Sequence, residues 1–245
     1  MKSKIYLILA VVIAFSFAFT SCKKDKTQTT PETPYIPLPT DVSSYAGLGT
    51  HHGFPTGTAF HLPSNIKIIG SIRGGIQNKD YQIDKNKFQG PFPYVMPEKS
   101  WVDYGTGTYI NLYIKFYNSL PTPSTFTIPG GLIFCDSLDI VDSLGIYQKG
   151  YIMQPIDITV PAQDTAFAHI KAYCLNAHLM PSSYNAVYYI GPVTNNVELN
   201  HITTIMAPKQ YPFGEEYHIQ TIVWNVTDHG LVLDSTEISY LNALP

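Results

Sequence analysis

Arginine is almost missing from this chain. Arg73 is the only one among 245 residues, and Asp, Glu, Lys and Arg together make up 13 %, with a net charge of −3. No Lys/Arg stripe is available to track a phosphate backbone, which argues against nucleic acid as a partner. No phosphate-cradling glycine loop is present either. Cysteine is scarce, at Cys22, Cys135 and Cys174 only. No apolar run reaches the roughly 20 residues that a spanning helix needs.

The longest apolar run, Ile5 to Phe19, is broken only by Ser16 and preceded by Lys2 and Lys4. A charged start and a short apolar centre describe a signal peptide, residues 1–21. The ending "FTSC" resembles the lipobox of bacterial lipoproteins, in which Cys22 becomes the acylated first residue. With "KKDK" behind it and so little arginine, the chain looks most like a lipoprotein of the Bacteroidota. That resemblance implies a lipid-anchored outer-membrane protein at the cell surface. Residues 22–42 then follow as a Pro/Thr-rich, semi-extended tether.

The rest is large enough for one sizeable domain. Between residues 43 and 175 the apolar period is two. "YINLYIKFYN" sets Ile110, Leu112, Ile114 and Phe116 on one face, "PIDITVP" alternates through Ile156, Ile158 and Val160, and "AFAHIKAYC" through Ala168, Ile170, Ala172 and Cys174. Pro129-Gly130-Gly131 marks a turn. Short strands between Gly/Pro/Asn/Ser clusters predict an antiparallel, Ig-like β-sandwich. The strand pairing of residues 51–90 stays open. Residues 176–245 read as helical: Leu199, Ile202, Ile205 and Met206 have helical spacing, as do Ile219, Ile222, Val223 and Val226. Asp234 and Glu237 form a capping-box-like pair. The expected class is α+β, a β-sandwich followed by a helical segment packed on it.

With Cys22 lipidated, Cys135 and Cys174 remain. In an oxidising compartment they can form a structural disulfide or stay as buried thiols. A third option comes from their neighbours. Tyr173-Cys174-Leu175 lies at a strand end, and Ile219-Gln220-x-x-Val223-Trp224 lies on a helix, with Gln220 beside the apolar stripe. These two short motifs resemble the thioester domains of Gram-positive surface adhesins. The resemblance implies an internal thioester between Cys174 and Gln220, opened by a nucleophile on a host or cell surface, with Tyr173 and Trp224 shielding it from water. It implies one attachment event per molecule rather than turnover, and no cofactor. The partner would carry amines at a host or cell surface, while a carbohydrate ligand goes with a non-covalent binding lipoprotein. The alternative is a non-covalent binding or structural lipoprotein with a Cys135–Cys174 disulfide.

Weaker patterns accompany this one. Cys174, His201 or His218, and Asp228 occur in the order of a Cys-His-Asp triad. His51, His52 and His61 are metal-ligand types, although adjacent histidines in a strand point to opposite faces. Trp101 and the many tyrosines suit sugar stacking, and also ordinary outward strand positions. "DSL" at 136 and 142 resembles a short glycosylation sequence of Bacteroidota. If Cys22 carries the anchor, Cys22→Ser should accumulate uncleaved or be released from membranes in fractionation. Unchanged membrane attachment after signal processing would contradict the lipoprotein reading.

Overall fold

The computed structural model describes residues 42–51, 53–75, 101–138, 145–210 and 214–245, all within the unit Ile36–Pro245. The leader, Cys22 and nearly all of the tether lie outside these residues. Among the described residues, chain order runs through eleven strands: β1 (Gly57–Ala59), β2 (Ile66–Ile68), β3 (Ile72–Gly75), β4 (Val102–Tyr104), β5 (Ile110–Asn118), β6 (Ser124–Ile128), β7 (Leu132–Asp136), β8 (Gly150–Tyr151), β9 (Ile156–Val160), β10 (Thr165–Cys174) and β11 (Val187–Thr194). Three helices follow: α1 (Val197–Met206), α2 (Glu216–Thr227) and α3 (Ser235–Ala243).

The alternation of β5 and β10 sets the core. Their register puts Ile114 opposite Ala168, Leu112 opposite Ile170 and Ile110 opposite Ala172, so a small residue faces a large one at two of three levels. All six are fully buried. From β5 the ladder continues through β3, β11, β7 and β8 to β10, which pairs with β5 again. Six antiparallel strands therefore close a barrel. β2 adds to β5, β1 to β11, and β4 runs parallel along β10. The barrel is narrow and filled by side chains. A Cβ on Gly150 of β8 would lie 3.0 Å from Ile110 Cγ2 and 3.2 Å from the Ala172 Cβ, which leaves little room for a larger residue there.

The expected Ig-like β-sandwich is thus corrected to a mostly β protein built on a closed six-stranded antiparallel barrel. Alternation reports which residues face inward; it does not report whether a sheet stacks on a second sheet or curls onto its own edge. Closure depends on β10, whose ten residues pair with β5 along one edge and with β4 and β8 along the other. The helical reading of residues 176–245 also needs amendment, because β11 lies within it and pairs with β3 and β7 in the barrel wall. Gly191-Pro192 interrupts its alternation, and the register with β7 shifts between Ile190 and Val193.

A second core explains strands that are apolar on both faces. Leu132 and Phe134 of β7 fill the barrel, whereas Ile133 and Cys135 join Tyr151, Met153, Tyr173 and Leu175 against the helices. Leu199, Ile202 and Met206 of α1 and the whole predicted stripe of α2 supply the other side. The Tyr151 hydroxyl donates to the Leu199 carbonyl at 2.8 Å, satisfying a polar tip that burial would otherwise strand. Asn196 caps α1, and Asp234 with Glu237 forms the capping box of α3. The β6–β9 ribbon adds Phe126, Ile128, Ile156, Ile158 and Val160 to the barrel core.

Leu112→Ala should leave a hole at the centre of this barrel and cost about 2–5 kcal/mol in chemical denaturation. A loss below about 1 kcal/mol would show that the β5 row is not the packed interior described here.

Candidate functional site

β10 outlasts its partner. The β5 ladder ends at the Ala172–Ile110 pair, while Cys174 still pairs with Gly150 of β8 on the other edge. The backbone of Cys174 on the vacated edge is met by a side chain instead. The Cys174 N–H donates to Gln220 Oε1 at 2.7 Å, and Gln220 Nε2 donates to the Cys174 carbonyl at 2.7 Å. Gln220 is fully buried, so its primary amide acts as a one-residue strand that completes the ladder. Such a buried amide is tolerated because both of its ends are satisfied.

The Cys174 side chain belongs to the barrel core, and its sulfur accepts the Asn176 N–H at 3.3 Å. Burial pushes the thiol up to about 12; the Trp224 indole and the Asn176 N–H pull the other way, and the Asp228 carboxylate adds to the rise. The Trp224 N–H has no well-formed hydrogen bond, so its help to the sulfur is that of a nearby dipole. Trp224 packs against Tyr109, with ring centroids 5.1 Å apart, and both rings rest on the barrel core. Tyr109 is therefore the second aromatic on the sulfur's side. Tyr173 is not: one residue along the strand from Cys174, it points into the helix-side core.

One face of α2 governs the strand exit. Gln220, Trp224 and Asp228 recur every four residues, the spacing of helical neighbours. Gln220 holds Cys174, Trp224 stands beside its sulfur, and Asp228 accepts the Ala177 N–H at 2.9 Å. Asn176 ties the same segment to the chain near Leu48, donating to the Gly49 carbonyl at 2.7 Å, and the Gly49 N–H donates to the Leu175 carbonyl at 2.8 Å. Gly49 has φ +53, and a Cβ there would sit 1.8 Å from the Thr227 carbonyl oxygen. Only glycine fits between α2 and the strand exit.

Other sequence candidates do not converge on this point. Cys135 and Cys174 are both buried and face different cores, and no disulfide joins them. The histidine beside Asp228 is His178, with Nδ1 3.7 Å from the carboxylate. His201 is exposed on α1, and His218 stacks on Tyr240 at 4.0 Å, so neither occupies the place of a triad base next to Asp228. His51 stands edge-on to Tyr45, His61 is exposed, and His52 lies outside the described residues. Among the described residues no group of three His, Cys, Asp or Glu side chains is placed to hold a metal ion.

Trp101 sits edge-on to Tyr113 and Phe167. Tyr113 is stacked on His169 at 4.5 Å, and Lys115 lies over Phe167. These rings pack on one another and on neighbours within the protein. The carboxylate of Asp136, in the first "DSL", is buried and accepts the N–H groups of Leu138, Ile146 and Tyr147; the second "DSL" lies outside the described residues.

Comparison with protein-family models, curated proteins and solved structures returned no match. Among the described residues no helix is long and apolar enough to cross a membrane.

Burial is the largest influence on Asp228 and raises its pKa, outweighing the Thr227, Ala177 and His178 contacts that favour the charged form. An acid whose folded pKa lies above its unfolded value loses stability as pH climbs through that interval. Asp228→Asn keeps an oxygen for the Ala177 N–H. It should gain in denaturation midpoint relative to wild type between about pH 3 and about pH 7. A difference that is flat or falls with pH would contradict a carboxylate held in ionised form against its burial.

Proposed function

We propose that this protein is a surface lipoprotein that attaches covalently to its target through an internal thioester between Cys174 and Gln220. The observation that carries this is the docking of the Gln220 amide on the backbone of the very residue whose thiol would attack it. When the sulfur attacks Gln220 Cδ, negative charge develops on Oε1, and the Cys174 N–H already points at that oxygen. The Cys174 carbonyl holds Nε2, the leaving nitrogen. The Cδ–Sγ bond forms, the Cδ–Nε2 bond breaks, and the nitrogen departs as ammonia carrying the thiol proton.

The surroundings favour the product. A site that pushes the thiol up to about 12 disfavours a thiolate, whereas an acylated sulfur carries no charge to desolvate. Tyr109 and Trp224 supply the cover against water that an activated acyl group needs. An incoming amine or hydroxyl would later attack Cδ, break the bond to sulfur and leave its proton on Cys174. The "FTSC" lipobox and the Pro/Thr-rich tether complete the picture, since a covalent attachment is useful only when its own base is held at the cell surface.

The test is intact mass. Protein prepared without amines or reductant should weigh about 17 Da less than its sequence, the stoichiometric loss of ammonia. Cys174→Ala and Gln220→Ala should each restore the full mass, and Cys135→Ala should keep the deficit. A full-mass wild-type protein would leave Gln220 with the role of a strand-edge clamp and nothing more.

A further inference from the structure

On the far side of Tyr109 from Trp224 lies a groove of about 600 Å³, lined among the described residues by Gly75, Thr108, Tyr109, Asn111 and the stretch Met180–Ser183. Its size falls in the range of small-ligand sites. Its walls are laced together. Ser182 Oγ accepts the Asn111 N–H at 3.0 Å and donates to the Gly75 carbonyl at 2.7 Å, so one hydroxyl ties β5, β3 and the 180–183 segment into a preformed trough. The groove and the candidate site meet at Tyr109, which lines the one and packs on Trp224 in the other, beside the Cys174 sulfur.

The chemistry of the lining narrows what it can take. None of these side chains is ionised: they are hydroxyls, one amide, a tyrosine ring, a methionine and a proline. A lysine-rich or acidic peptide would have to shed its hydration here with no opposite charge among the described lining residues to meet it. Asn111 is held by His169 and the Thr108 carbonyl and Ser182 by its own two bonds, so a neutral saccharide would meet the Tyr109 ring with its apolar C–H face and Thr108 and Ser183 with its hydroxyls. Ser183 strengthens the match, because it lines the groove and its Oγ is buried with no hydrogen-bond partner, a group that a ligand hydroxyl would satisfy.

We propose that this groove seats a neutral glycan and delivers one of its hydroxyls to the Cys174–Gln220 thioester, a step that rests on the thioester reading above. The sugar oxygen attacks Gln220 Cδ, the Cδ–Sγ bond breaks, and the hydroxyl proton ends on the Cys174 sulfur. The product is an ester at Gln220 and a free thiol, with nothing else consumed or released. Tyr109 is the positioning residue, since its ring must move from Trp224 for the hydroxyl to pass.

Binding and capture are tested separately. The full-chain Cys174→Ala protein, which cannot react, is titrated calorimetrically with neutral hexasaccharides of glucose, mannose and galactose and with a hexamer of galacturonic acid. At least one neutral hexamer should bind, and Ser183→Trp or Thr108→Trp, each placed to fill the groove, should weaken it at least tenfold. The uronic acid hexamer should bind at least tenfold more weakly. Wild-type protein with the same neutral hexamer should gain its full mass as an adduct removable by hydroxylamine. Failure of every neutral hexamer to bind, equal binding by both groove-filling variants, or equal binding of the charged hexamer would overturn the glycan site. A mass deficit in the absence of any saccharide adduct would overturn the delivery step while leaving the thioester in place, and absence of the deficit itself would remove the thioester.

Discussion

The pair of hydrogen bonds between the Gln220 side chain and the Cys174 backbone is the point on which the described architecture turns. A β-barrel closes only if every strand finds partners on both edges, and β10 is longer than the partner on one of its edges. A primary amide is the one neutral side-chain group that offers a donor and an acceptor side by side, as a strand does. By supplying both, Gln220 lets β10 extend one more inward residue and so carries Cys174 to the rim of the barrel core. The same bonds fix the axial position of α2, and through Trp224 and Asp228 the entire strand exit from Cys174 to Ala177.

Two cores share one wall. Strands β7, β8 and β10 present residues to the barrel on one side and to the helices on the other. This is why "LIFC" is apolar without interruption, where a half-exposed strand would alternate. It also explains the division of labour at the site. Cys174 looks into the barrel, Tyr173 and Leu175 anchor the helices, and the three residues cannot exchange roles without a register slip that would turn the strand inside out.

In the proposed thioester, burial and reactivity would have to be balanced at Cys174. The same exclusion of water that raises the thiol is what an acyl-sulfur bond needs for a long life. A nucleophilic cysteine poised for turnover sits in an electropositive, partly exposed setting that lowers its pKa. The setting here differs: burial and the Asp228 carboxylate outweigh the Trp224 and Asn176 N–H groups and raise the thiol. It suits a bond made once and kept until an acceptor displaces it.

Much of the local structure was legible in residue spacing. The inward faces of β5, β9 and β10, the buried stripe of α2, and the capping box at Asp234 and Glu237 follow from periodicity and cap chemistry, which depend on a few neighbouring residues. Cys174 at a strand end and Gln220 on the buried edge of a helix were readable for the same reason. Their contact rested on resemblance until the fold joined residues 46 positions apart. Closure of the barrel, the place of β11 in its wall, the packing of Tyr109 on Trp224 and the turning away of Tyr173 were decided only by tertiary structure. Each depends on which distant strands pair and in what register, and no local pattern encodes a partner that lies elsewhere in the chain.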